Sequence, residues 1–158
     1  MNSVRRSSLT LWASAILLAG CAEAARAQVV LTALTVSGPP APFVISTAVA
    51  GSEPTAITNS VTTYYVKDKK PAGTRRITAA LDSPMPPGTI LTIQLVPSAG
   101  ATSLGAVSMD MTNRNLVVGI YKDNGTVLGI TYVFTATVAA GVVTSQSRNV
   151  TFTLIDGP

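Results

Sequence analysis

The sequence predicts an all-β protein, an antiparallel sandwich of about seven to nine strands. Apolar and polar residues alternate over short runs, which is the period of a half-buried strand. Gly, Pro, Asn and Asp interrupt these runs roughly every 12–15 residues, a spacing typical of sandwiches and barrels. No segment shows the 3.6-residue period of an amphipathic helix, so we expect no substantial helix in the folded domain.

The first 27 residues have the three parts of a secretory signal peptide. Arg5 and Arg6 give a positive start, and residues 9–18 form an apolar run that is too short to cross a bilayer. An A-x-A cleavage site ends at Ala27. We therefore expect a bacterial protein that is exported to the periplasm, the cell surface or the medium, with a single domain at residues 28–158.

A second cleavage site competes with the first. Leu18-Ala19-Gly20-Cys21 resembles the lipobox of bacterial lipoproteins, in which the cysteine is lipidated and becomes the mature N-terminus. The signal would then be residues 1–20, and the protein would be an outer-membrane lipoprotein that meets the membrane only through Cys21. A strand pattern begins almost directly after Gln28 and leaves little tether, which slightly favours cleavage at Ala27. The mass of the mature N-terminus separates the two alternatives.

The first half of the exported chain contains three predicted strands. Val29–Val36 alternates, and Gly38–Pro42 then ends it because three prolines remove backbone donors. Phe43–Thr47 is a short extended piece. Thr58–Val66 is rich in β-branched and aromatic residues, and Thr74–Leu81 alternates apolar with polar side chains.

The second half contains five more predicted strands. Thr89–Val96 has three apolar residues opposite Thr and Gln, the pattern of a half-buried strand. Leu104–Met111 and Asn115–Tyr121 are shorter candidates. Val127–Val138 keeps large apolar residues on one face, and Asn149–Ile155 alternates them with threonine. Alternating faces of this kind predict two sheets that bury one side each.

Turn residues and strand faces together predict the core. Asp123-Asn124-Gly125 is a strong tight-turn signal, and Lys67–Gly73 is predicted to be a charged turn. The residues expected to form the core occupy single faces of three strands: Leu91, Ile93, Leu95, Ile130, Tyr132, Phe134, Phe152 and Leu154. At the level of the fold, this pattern resembles the immunoglobulin-like sandwiches of bacterial surface proteins, although no motif points to a particular family.

The residue types present exclude most catalytic chemistry. The chain has no His, which excludes His-based acid–base catalysis and His-ligated metals. A single Cys cannot form an internal disulfide. The aspartates at 68, 82, 110 and 123 are scattered singly through predicted turns and strand ends, where Asp usually bonds its own backbone. We therefore expect no enzyme activity, no cofactor and no metal site.

One local concentration of positive charge is a candidate contact with an anionic surface. Its members are Lys67, Lys69, Lys70, Arg75 and Arg76. They could bind acidic polysaccharide or surface phosphate; the alternative, which we favour, is a solvated hairpin tip whose lysines discourage edge aggregation. Residues 28–158 carry eight basic and six acidic residues, a net charge of +2. This small excess leaves no broad basic surface that would bind nucleic acid.

A glycan-binding module is a further alternative. Polysaccharide binding favours flat aromatic platforms, and residues 28–158 contain four Tyr and no Trp. Tyr64 and Tyr65 are adjacent on a strand, so their side chains point to opposite faces and only one can lie in the core. The other is either an exposed sugar contact or a hydrogen-bonded rim residue.

The N-terminal strand suggests a role in assembly. Val30, Leu34 and Val36 share one face of this strand, and the proline-rich Gly38–Pro42 follows it as a hinge. Such a strand can complete the sheet of a neighbouring copy. The alternative, which we favour, is that it pairs within its own domain and bends between the two sheets.

The combined interpretation is a non-catalytic structural or interaction domain, a candidate subunit of a surface assembly. Self-association or a protein partner is expected for that role, retention on polysaccharide for a glycan-binding module, and membrane fractionation for a lipoprotein.

Overall fold

The protein is a sandwich of two antiparallel sheets. The computed structural model of the chain describes residues 32–46, 49, 52–70 and 72–157, and these residues form ten strands, one 3-10 helix (Val138–Ala140) and no α-helix. The predicted β-sandwich is confirmed, and three of the strands are only two or three residues long. The strands are β1 (Thr32–Val36), β2 (Ile57–Asn59), β3 (Thr63–Asp68), β4 (Arg75–Leu81), β5 (Thr89–Leu95), β6 (Thr102–Ser103), β7 (Val107–Ser108), β8 (Arg114–Ile120), β9 (Thr126–Ala136) and β10 (Val150–Asp156).

The first sheet is built around β9. Its order is β1-β3-β9-β5-β7, and β2 also pairs with β9. β9 is eleven residues long, so one side of it accommodates β3 and then β2, while β5 pairs on the other side. The β5–β9 ladder runs from Thr89↔Ala136 to Leu95↔Ile130. β1 forms one edge of this sheet and the two-residue β7 forms the other.

The second sheet has the order β10-β4-β8-β6. β10 pairs with β4 over seven residues, from Val150↔Leu81 to Asp156↔Arg75. The β4–β8 register shifts on both sides of Ile77, which marks a bulge. One edge is the seven-residue β10 and the other is the two-residue β6, so the longer edge strands of both sheets are β1 and β10.

The core lies between the sheets and follows the predicted alternation. Five of the eight predicted core residues are buried, which confirms them: Leu91, Ile93, Leu95, Ile130 and Tyr132. The other three, Phe134, Phe152 and Leu154, are only half-buried. The remaining buried apolar side chains are Tyr64, Val66, Ile77, Ala79, Leu81, Met109, Leu116, Val117 and Ile120.

The structure divides one predicted strand into two. Thr58–Val66 was expected to be continuous, but β2 ends at Asn59 and β3 begins at Thr63. The Asn59 side chain accepts a hydrogen bond from the backbone N–H of Val61 at 3.2 Å, which turns the chain locally. The Thr62 carbonyl then accepts a hydrogen bond from Ile130 at 2.9 Å. The break allows one chain segment to supply two strands to the same side of β9.

Two other predicted segments are less regular than expected. Phe43–Ser46, the described part of the extended piece, lies outside any strand. Within Leu104–Met111, only Val107 and Ser108 form a strand. Gly105 has φ +76°, a conformation that interrupts extended structure and favours glycine.

The turn at Asp123–Gly125 is present as predicted. One carboxylate oxygen of Asp123 accepts hydrogen bonds from the Gly125 N–H at 2.8 Å and from the Thr126 hydroxyl at 3.0 Å. Gly125 has φ +105°, and a Cβ there would collide with the Tyr65 side chain. Both the backbone conformation and the close neighbour therefore require glycine at this position.

Candidate functional site

An apolar cleft of about 910 Å³ opens on the side of the sandwich where β1 and β10 are the edge strands. The first sheet lines it with side chains of β1, β5 and β9, and the second sheet lines it with β10. Segments 38–46 and 141–149 border it. The main apolar side chains in the lining are Leu34, Val36, Phe43, Met85, Phe134 and Phe152.

Among the described residues, β1 forms a ladder with one strand only and also packs against β10. It pairs with β3 from Thr32↔Asp68 to Val36↔Tyr64, and none of its five residues is buried. Leu34 and Val36, two of the three residues predicted to take part in strand exchange, are half-buried and line the cleft. Val30, the third, lies outside the described residues. In this structure the described part of the N-terminal strand therefore pairs within its own domain.

β10 forms the other border of the cleft. Phe152 and Leu154 lie opposite Ala79 and Ile77 of β4, which are fully buried, but none of the seven β10 residues is buried. Among the described residues, no strand pairs with the outer edge of β10. The strand thus presents a row of backbone N–H and C=O groups beside apolar side chains.

The cleft explains why two of the predicted core residues, Phe134 and Phe152, are not buried. Phe134 and Phe152 lie on the inward faces of β9 and β10, as the alternation predicted. They extend into the cleft, however, and no strand lies between them in the described part of the chain. Their exposure is a correction to the predicted core, because strand period fixes the face of a side chain but not what covers it.

Phe43 fills part of the cleft from the segment that follows β1. Its ring centroid lies 6.4 Å from that of Tyr132 and 6.0 Å from that of Phe134, with tilted planes. Both distances are within the range of favourable aromatic pairs. Phe43 is thus the residue through which this segment contacts the core.

The predicted basic cluster does not form a single exposed patch. Arg75 has a side chain only 7% exposed, lies 3.6 Å from the buried carboxylate of Asp68 and also pairs with Asp156. The prediction that Arg75 contacts an anionic surface is therefore wrong, since an arginine turned inward cannot reach an external surface. Lys69 is exposed, while Lys67, Lys70 and Arg76 are half-buried. Lys70 approaches Asp156 at 3.9 Å.

The ion pair of Asp68 and Arg75 was missed by sequence reasoning, although a signal was present. Asp68 shares the strand face of Tyr64 and Val66, and all three are buried. Arg75 likewise shares the face of Ile77 and is buried with it. The alternation of side chains along β3 and β4 places Asp68 and Arg75 on the buried faces of their strands. The neighbouring lysines, however, suggested a solvated turn. The pair joins the end of β3, in the first sheet, to the start of β4, in the second.

Other aspartates fix loops. Asp110 accepts hydrogen bonds from Thr112 and from the Arg114 guanidinium, and the Arg114 contact is the main reason that the pKa of Asp110 lies well below its usual range. Asp82 accepts a hydrogen bond from the Asn149 side chain at 2.8 Å. These contacts are the backbone and side-chain roles expected of Asp in turns. Over the described ranges, no group of three or more His, Cys, Asp or Glu could hold a metal ion.

The tyrosines offer little flat surface for a sugar. Tyr64 and Tyr132 are buried, and Tyr65 is half-buried beside Gly125. Tyr121 is 46% exposed, with the Lys122 ammonium 4.9 Å from its ring centroid. The adjacent pair at 64 and 65 thus divides between core and rim, as strand geometry requires.

Stability at high pH is expected to depend on Tyr64. Its hydroxyl donates a 2.5 Å hydrogen bond to the Val96 carbonyl; burial, with a smaller contribution from the Asp123 carboxylate, raises the pKa of Tyr64 to about 12. Between about pH 10 and pH 12 the unfolded chain loses this proton while the folded chain keeps it, so the free energy of unfolding falls as pH rises. Tyr64→Phe should be less stable at neutral pH but lose less stability over that interval, measured by urea unfolding.

The control for this experiment is Tyr121→Phe, at an exposed position. It should lose stability with pH as steeply as the parent protein. A Tyr64→Phe protein that declined as steeply as the parent between about pH 10 and pH 12 would contradict the assignment.

Two features concern the membrane. Cys21, the candidate lipidation site, lies outside the described residues. Within those that are described, none of the helical structure is long and apolar enough to cross a bilayer.

Comparisons with known proteins found a structural likeness. No family model matches the chain, and no curated protein matches it. The chain is similar, at 12% identity and a TM-score of 0.43, to a chain in a solved structure of a chaperone-usher pilus; the likeness covers 99% of this chain and 100% of that chain. Because one fold serves many functions, we infer function from this chain's own residues and not from this likeness.

Proposed function

We propose that the protein is an exported, non-catalytic structural subunit of a surface assembly, and that its cleft receives a β-strand from a second copy of the same chain. The observation that carries this proposal is the side of the sandwich at which β1 and β10 are the edge strands. There, β1 and β10 border an apolar cleft and contain no buried residue, whereas the inward faces of β3, β4 and β5 are buried.

The lengths of the edge strands support strand addition on this side only. β10 offers seven residues of open edge, and its sequence VTFTLID has no Lys or Pro to discourage pairing. On the opposite side, β6 and β7 are two residues each. Folded proteins usually protect long edges, so a long open edge beside apolar side chains favours a pairing partner.

The cleft volume alone would also suit a small apolar ligand. A small ligand could cover Phe134 and Phe152, but it would leave the outer backbone groups of β10 bonded only to water. An added strand covers the two phenylalanines and also pairs with β10. Its backbone forms hydrogen bonds with the β10 edge while its alternate side chains enter the cleft. The geometry therefore favours a strand over a small molecule.

Residues 28–36 are the segment of this chain best suited to be the added strand. Nine residues span roughly 30 Å when extended, enough to cover a seven-residue edge of roughly 23 Å. Val30, Leu34 and Val36 supply apolar side chains on one face. Among the described residues, β1 pairs with β3 alone, so its release breaks one ladder together with its packing on β10 and the core. Gly38–Pro42 can act as the hinge.

Assembly is tested with one donor variant and one acceptor variant. The purified parent chain should form oligomers whose size rises with concentration, measured by size exclusion with light scattering. Leu34→Asp should block donation because it places a charge on the apolar face of the strand, and Phe152→Asp should block acceptance because it places one in the cleft. Each alone should be monomeric, because every copy then lacks either a working donor or a working acceptor.

The controls are Thr35→Asp and Thr151→Asp, at exposed positions next to the two substituted residues. Both should assemble like the parent, and circular dichroism melting should show that every variant is folded. A parent chain that stays monomeric at all concentrations, or a Leu34→Asp chain that assembles as well as the parent, would refute the proposal.

A further inference from the structure

The chain segment that follows β1 places a side chain in the cleft that the proposed function assigns to an incoming strand. This segment, residues 38–46, is called the proline segment below. Phe43 packs on Tyr132 and Phe134 at centroid distances of 6.4 and 6.0 Å. An added strand that covered Phe134 would compete with the Phe43 ring for the same surface.

Among the described residues, side-chain packing holds the proline segment in place. Within the described part of the chain, residues 38–46 take part in no backbone ladder and in no other hydrogen bond of the fold. Prolines at 39, 40 and 42 have no N–H to donate. Val44, next to Phe43, is 66% exposed. Displacing the segment thus breaks no described hydrogen bond; it costs the packing of Phe43 on the core and of the half-buried Pro40 and Ile45 in the cleft lining.

We infer that Phe43 is a removable plug, which occupies the acceptor cleft of a free subunit and leaves when a strand from a second copy enters. The inference rests on the proposed function, because it describes how the same cleft is kept closed before assembly. Since the plug occupies the site in the resting state, it lowers the apparent affinity for the incoming strand by the fraction of molecules in which the cleft is open.

The position of Phe43 along the chain couples the release of β1 to the opening of the cleft in the same molecule. Phe43 follows the last residue of β1, Val36, by seven positions, and the hinge Gly38–Pro42 lies between them. When β1 moves to a neighbouring copy, the hinge moves with it and draws Phe43 away from Phe134. Leu34 and Val36 also leave the lining of the cleft. A subunit that has donated its strand is therefore opened to receive one.

Fluorescence can report directly on the plug. The only Trp in the chain is Trp12, so Phe43→Trp in a Trp12→Phe background carries a single reporter. The probe is a synthetic peptide of residues 28–37. When it binds, the emission of the tryptophan at position 43 should move to longer wavelength as the side chain becomes solvated. In the matched control, Ala41→Trp in the same background, the reporter is exposed from the start and outside the cleft lining, so its emission should not move.

Affinity gives a second, independent measurement. Phe43→Ala should bind the labelled peptide roughly tenfold more tightly than the parent, because the competing side chain is gone. Ala41→Ser, at an exposed position outside the cleft lining, should bind it as the parent does. The tighter binding distinguishes a plug from a fixed core residue, since loss of a fixed core contact would leave peptide affinity unchanged or weaken it.

The outcomes separate this inference from the proposed function. If the peptide binds but the emission at position 43 stays constant and Phe43→Ala does not bind more tightly, Phe43 is a permanent part of the core, and the inference is wrong while the proposed function stands. If the peptide binds to neither the parent nor Phe43→Ala, the acceptor cleft itself is refuted and the plug with it.

Discussion

Arg75→Met is expected to lower the free energy of unfolding by about 3–5 kcal/mol, the usual cost of leaving one member of a buried ion pair without its partner. Asp68 is fully buried, and one of its carboxylate oxygens has no hydrogen-bond partner. Arg75, at 3.6 Å, is the cation that compensates its charge. Urea unfolding at neutral pH measures the loss.

Two further variants test whether the cost comes from the uncompensated charge. Asp156→Asn removes a partner of Arg75 whose side chain is 75% exposed, so it should cost no more than about 1 kcal/mol. Adding Asp68→Leu to Arg75→Met should restore much of the lost stability, because no buried charge then remains. A double variant that is less stable than Arg75→Met alone would show that packing, and not charge, dominates at this site.

Ile93→Ala should lower the free energy of unfolding by about 2–5 kcal/mol, the range for truncating a large aliphatic side chain in a packed core. Ile93 is fully buried in β5, between β7 and β9. The truncation leaves a cavity that neighbouring strands can close only in part. Chemical denaturation followed by circular dichroism provides the measurement.

The comparison with Phe134→Ala makes this prediction specific. Phe134 is the larger side chain, but it is half-buried, so its truncation should cost only about 1–2 kcal/mol in the free subunit. If Phe134→Ala were as destabilising as Ile93→Ala, the side chain would have to be covered in solution, and the cleft would be closed.

Much of the sandwich could be predicted because strand period is a local property. Alternation placed Leu91, Ile93 and Leu95 on one face, and Ile130 and Tyr132 on another, without any knowledge of their partners. All five are buried. The same parity would have placed Asp68 and Arg75 inside, had composition not suggested a solvated turn. Local pattern and local composition disagreed there, and the pattern was correct.

The cleft could not be predicted in the same way, because it depends on which strands end up at the edges. Phe134 and Phe152 satisfy the alternation as well as Ile93 does. They differ only in what the opposite sheet places over them, which follows from the strand orders β1-β3-β9-β5-β7 and β10-β4-β8-β6. No local pattern encodes those orders.

Phe43 was missed for a related reason. The residues around it predicted a short extended piece, and three nearby prolines pointed to a break in the sheet. Neither observation indicated that the ring would reach Tyr132 and Phe134, about ninety positions later in the chain. Contacts of such long range are set by the tertiary fold.

The unequal edges of the two sheets bear on the form of assembly that the proposed function would give. Among the described strands, β6 and β7 have two residues each and β10 has seven, so β10 would be the acceptor edge and residues 28–36 the donor. A unit with one acceptor and one donor links only in series, so its polymers would be unbranched and would have two unlike ends.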